Sequence, residues 1–89
     1  MPKEKNPICV AVGRNVSRLR REAGLSQEML AQDADLDRSY VGGVERGERN
    51  VSVVNLCRLA EPLGVEPRSF LEGVSIQLLG QVPGGNPGN

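Results

Sequence analysis

The stretch Leu25–Gly47, LSQEMLAQDADLDRSYVGGVERG, decides how the rest of the chain is read. It predicts two short helices joined by a tight turn. Ser26 is a good N-cap, because its hydroxyl accepts from the free backbone N–H groups that open a helix, and Glu28 favours the positive end of the helix dipole. Met29, Leu30 and Ala34, with Ala31 at the margin, form the expected buried side. Asp33, Asp35 and Leu36 make the turn, Leu36 plugging into the core. Asp37 then caps a helix led by Arg38 and Ser39, with Val41 and Val44 facing inward and Gly47 as its stop. Gly42 and Gly43 lie inside that helix, where each costs about 1 kcal/mol relative to Ala. Such a helix is held or tolerated by its neighbours, or it needs close approach to something.

Upstream, residues 1–7 read as a flexible arm. Pro7 suits the first turn of a helix, and Cys9, Val12, Val16, Leu19 and Ala23 follow at spacings of three and four, which is one helical stripe. Arg14, Arg18 and Arg21 fall off that stripe, and Gly24 ends it. Downstream, Glu48, Arg49 and Asn50 form a polar loop, and Ser52 caps a fourth helix carrying Val53, Leu56, Leu59, Ala60 and Leu63. Pro62 predicts a stop or kink, Gly64 a stop, and Val65 a return to the core. Pro67 opens a short fifth helix through Phe70 and Leu71. The domain therefore spans 8–72, and 73–89 is an extension: VSIQLLGQV is apolar enough to pack, whereas PGGNPGN forms no regular element, with order expected to end near Val82. The fold class is all-α.

Eighty-nine residues with one Phe, one Tyr and no Trp make a small aliphatic core, of the kind that gains stability by dimerising. The net charge of zero argues against a non-specific nucleic-acid coat, but the charge is uneven. Residues 1–25 carry a balance of +4, residues 26–37 a balance of −4 through Glu28, Asp33, Asp35 and Asp37, and residues 38–50 a balance of +1. A neutral chain can thus present a basic face. Cys9 and Cys57 are read as reduced thiols in a cytoplasmic protein. Two cysteines without histidine give no expected metal site, and no cofactor is implied. The apolar run ICVAV at 8–12 is far too short to cross a membrane.

Arg20 and the segments GLSQEMLAQ, LDRSYVGGVERGERN and LAEPLGVEPRSFL together resemble the Cro/C1-type (Xre-type) helix-turn-helix family, from about Val12 to Leu71. The resemblance implies a five-helix, lambda-repressor-like domain whose third helix enters the major groove of double-stranded DNA. Residues at the leading end of such a helix reach the base edges, and Arg can bridge O6 and N7 of guanine. It implies base contacts from Arg38, Ser39 and Tyr40. It also places a contacting side chain at the position of Gly43, where this chain has none. Gln27 is implied as a phosphate contact that braces the reading helix; Arg46, Arg49 and Asn50 are implied as further backbone contacts, which set register without reading sequence. Arg20 and Glu45 are implied as a structural salt bridge.

The function that follows is a sequence-specific transcriptional regulator, like small phage-type repressors and restriction–modification controller proteins, acting as a homodimer on a near-palindromic operator with no small-molecule effector. Phe70, Leu71, Val74, Ile76 and Leu78, with Leu79, are the expected dimer surface. The alternative is a protein-interaction module or antitoxin that keeps the fold with weak or no DNA binding. Nothing in the chain supports an enzyme, since it lacks histidine, a nucleotide-binding loop and a paired nucleophile and base.

Overall fold

The computed structural model describes residues 5–83; most of the N-terminal arm and all but the first residue of PGGNPGN lie outside them. Helix α1 (Pro7–Glu22) begins where Asn6 Oδ1 accepts from the backbone N–H of Ile8 at 2.8 Å and of Cys9 at 3.4 Å. Pro7 fills the first turn, where its missing N–H has no partner to lose. Asn6 and Pro7 thus belong to the helix and not to the arm.

Helix α2 (Gln27–Ala34) starts on Ser26, whose Oγ accepts from Met29 N–H at 3.0 Å. Asp33 is part of this helix rather than of the turn. The turn is made by Asp35 in the left-handed region (φ 58°), after which the Leu36 N–H returns to the Ala31 carbonyl at 2.9 Å. Helix α3 (Arg38–Glu45) follows Asp37, whose side chain makes no capping hydrogen bond, so the expected cap contributes position only. Helix α4 (Val53–Leu63) is capped by Ser52 and runs through Pro62 to a left-handed Gly64. Pro62 stands so close to the end that its missing N–H interrupts the ladder only in the last turn. The fifth helix, Pro67–Leu71, is 3₁₀ in form, and the apolar run beyond Gly73 makes a second 3₁₀ helix, Ile76–Gln81. Among the described residues there is no strand.

α1 packs on α3, α2 packs on α3 and α4, and both 3₁₀ helices return to α1. Val16, Leu30, Val41, Leu59 and Phe70 are fully enclosed, with Leu36, Leu63 and Val65 packed around them. Three residues expected inside are outside: Ala23 caps α1 in solvent, while Met29 is 49% and Val53 75% exposed. In helices this short the buried face is narrow, and Leu30, Ala31 and Ala34 on α2, or Leu56, Leu59 and Ala60 on α4, already fill it.

Two glycines bring α1 against the end of α3. A Cβ on Gly13 would run into the Val44 carbonyl oxygen and lie 2.8 Å from that of Glu45. Gly47, at φ +77°, would carry a Cβ 2.6 Å from Val10 Cγ2. Both positions exclude any side chain.

Candidate nucleic-acid interface

The end of α3 is fixed by Glu45. Its Oε2 lies 2.6 Å from Arg20 Nε and its Oε1 3.0 Å from Arg20 Nη2, a bidentate pair with little solvent access. Arg20 Nη1 also donates to the Leu25 carbonyl at 2.8 Å, and Gln27 Nε2 donates to Glu45 Oε1 at 3.0 Å. One carboxylate therefore joins α1, the opening of α2 and the end of α3. Burial pushes the Glu45 carboxyl up. Hydrogen bonds from Arg20 and Gln27, the Arg20 charge and a bond from Ser17 outweigh it, and the group is held below the usual carboxylate range. The Arg20 guanidinium is pushed up, first by its hydrogen bonds to Glu45 and then by that charge, against the opposing effect of burial.

Against this frame α3 turns one face outward. Arg38 and Ser39, its first two residues, are exposed, and among the described residues neither forms an ion pair or a side-chain hydrogen bond. Tyr40 differs from them. It is half-buried against the core, and its hydroxyl accepts from Asn55 Nδ2 of α4 at 3.1 Å. Gln27 is half-buried beside Gly42, with its Oε1 3.6 Å from where a Cβ at residue 42 would stand. Arg46 reaches the same place, Nη1 at 3.0 Å, and pairs with Glu48 at 3.2 Å. Arg49 lies over Gly43, and its guanidinium carbon is 5.9 Å from the centre of the Tyr40 ring, within range of a cation–π contact.

The structure thus brings Gln27, Tyr40, Arg46 and Arg49 together over Gly42 and Gly43, with Arg38 and Ser39 at the leading end. Asn50 is exposed in the loop beyond and bonded to none of them. Sequence reading missed Asn55 and Glu48. Asn55 reaches Tyr40 only through the fold, fifteen positions away, whereas Glu48 was legible as an acidic neighbour of Arg46. On α1, Arg18 pairs with Glu22 at 3.3 Å and Glu72 at 3.8 Å, and Arg21 donates to Ser17 Oγ.

The expected dimer residues separate into two sets. Phe70 is fully enclosed by its own chain and has no surface to offer a partner, which removes it from the set. Val74 packs against the core and Leu78 is half-buried. Leu71, Ile76 and Leu79 remain exposed, at 48%, 84% and 60%. Cys9 and Cys57 are free thiols, and burial pushes the Cys9 thiol up. Among the described residues no helix is long and apolar enough to cross a membrane.

The family model described as Helix-turn-helix matches residues 16–70. Control protein C.BamHI of Bacillus amyloliquefaciens is 39% identical over 72 residues, covering 80% of this chain and 89% of that protein. The crystal structure of the restriction-modification controller protein C.AhdI from Aeromonas hydrophila superposes with a TM-score of 0.68 at 56% identity, covering 70% of this chain and 94% of that one. The structure of SinR, a master regulator for biofilm formation, in complex with DNA gives a TM-score of 0.65 at 30% identity, covering 67% of this chain and 97% of that one. With its caps, turn and buried pair in the order described above, the chain belongs to the Cro/C1-type (Xre-type) helix-turn-helix family of transcriptional regulators.

Proposed function

We propose that this protein is a sequence-specific double-stranded DNA-binding transcriptional regulator that binds a near-palindromic operator as a homodimer, with α3 in the major groove. The observation that carries the reading is the contrast within α3. Val41 and Val44 anchor it in the core, while Arg38 and Ser39 stand exposed at its leading end, without a side-chain partner among the described residues. That is where a reading helix meets base edges. Gln27, Arg46, Arg49 and Asn50 flank it as backbone contacts, the helix N-terminus of α2 adding free N–H groups toward a phosphate. Tyr40 supports this surface from behind, through Asn55 and Arg49. Leu71, Ile76 and Leu79 supply the apolar face for a second copy. No catalytic step and no cofactor enter the reading, which places the protein in the cytoplasm.

Selection of sites from a pool of random duplexes, followed by binding of the Arg38→Ala variant, tests it. The variant is expected to lose ~1–3 kcal/mol of affinity and to relax preference at one base pair in each half-site. A loss spread equally over all sequences identifies Arg38 as a phosphate contact instead. Failure of the wild-type chain to bind any duplex at low salt supports the interaction-module alternative.

A further inference from the structure

Gly42 and Gly43 need a reason, because a helix interior disfavours glycine and neither residue uses a positive φ. Close helix packing does not supply one. At Gly13 backbone carbonyls occupy the place of a side chain, but at Gly42 and Gly43 the nearest atoms to that place from outside the helix backbone belong to other side chains. The two positions also differ. A Cβ at residue 42 would meet the tip of Arg46, Nη1 at 3.0 Å, which can swing aside. A Cβ at residue 43 would meet Arg49 near its root, Cγ at 2.9 Å, with Nε at 3.4 Å and Cδ at 3.7 Å.

Arg49 is confined on its other side as well. Its guanidinium stands over the Tyr40 ring at 5.9 Å, and Tyr40 is held by Asn55 at 3.1 Å. Among the described residues Arg49 has no carboxylate partner, whereas Arg46 pairs with Glu48. The long side chain therefore lies along α3 with its charge available.

We infer that Gly43 is a positioning residue for DNA binding: the missing side chain leaves a seat in which Arg49 lies ordered against Tyr40 before DNA arrives, its guanidinium turned to a backbone phosphate beside α3. The inference rests on the DNA-binding reading above and deepens it. Ordering a long side chain in advance removes a cost that binding otherwise carries, worth between about twofold and tenfold in affinity per protomer.

The test is a double-mutant cycle of Gly43→Ala and Arg49→Ala in the full chain, on a duplex that the wild-type protein has selected from a random pool, with affinity followed against salt. Gly43→Ala is expected to weaken binding by that factor while the thermal midpoint stays level or rises, because alanine is the better helix former. A defect in folding would move both the same way. Arg49→Ala is expected to lower the slope of log affinity against log salt by about one per protomer. In the Arg49→Ala background, Gly43→Ala is expected to change little, and Gly42→Ala in the wild-type background less than Gly43→Ala. Equal losses from Gly43→Ala with and without Arg49 overturn the inference, since alanine would then be acting on the DNA directly. Wild-type binding by Gly43→Ala, or an unchanged salt slope in Arg49→Ala, overturns it while leaving the DNA-binding reading intact. If the wild-type chain selects no duplex at all, both fall.

Discussion

Glu45 ties three helices together, since it receives donors from Arg20 and Ser17 of α1 and from Gln27 at the opening of α2 while itself closing α3. Removing its charge by Glu45→Gln leaves the Arg20 guanidinium enclosed without its counter-charge, and unfolding is expected to become easier by ~3–5 kcal/mol in urea titrations. The pH dependence follows from the lowered carboxyl. A group whose folded pKa lies below its unfolded value, about 4.3 for glutamate, contributes its full stability above that value and loses it as pH falls through the folded one. The wild-type protein should accordingly lose stability over this acid interval, and Glu45→Gln should lose less over the same interval. At this scale the sequence was readable where a residue's partner was implied by the resemblance, as with Arg20 and Glu45. Tyr40 was not readable. Its packing partners could not be foreseen, because only the folded chain places Asn55 and Arg49 beside it.

The elements were legible where their ends are set by local chemistry. Ser26 and Ser52 accept from the backbone as capping residues do, and Gly24, Gly47 and Gly64 take positive φ at the stops. Asn6 is the same kind of cap, hidden by the polar residues before it. What local chemistry does not contain is the distance between helices. Gly13 gave no signal as one small residue within a helical stripe, yet α1 and α3 meet on it. Gly13→Ala is expected to push these helices apart and to destabilise the protein by ~1–3 kcal/mol, measured by thermal or urea unfolding. That is the opposite sign from the stabilisation alanine brings to an unobstructed helix position. Unchanged stability would mean that α1 shifts without loss.

For the whole molecule, a formal charge of zero is compatible with a locally basic face, because Arg38 opens α3 and Arg46 and Arg49 follow just past its end, with Arg49 free of a carboxylate partner among the described residues. The apolar surface near the C-terminus is expected to close the dimer. Ile76→Asp combined with Leu79→Asp should give a monomer by sedimentation that keeps its helical circular dichroism, with the thermal midpoint lowered only by loss of the partner, since within one protomer both side chains are mainly in solvent. A persisting dimer refutes the role given to this surface. Composition announced that 73–82 would pack somewhere, but the partner, α1, lies some sixty positions earlier, beyond the reach of any local pattern.

Just before that extension, one side chain of α1 reaches both the first 3₁₀ helix and the residue that follows it. Asn15 Nδ2 donates to the Phe70 carbonyl at 2.9 Å and to the Glu72 carbonyl at 2.8 Å. During synthesis α1 leaves the ribosome first, yet these two bonds form only after residue 72 has emerged. A nascent chain halted before that point therefore carries α2 and α3 without the contact that ties α1 to the end of the domain.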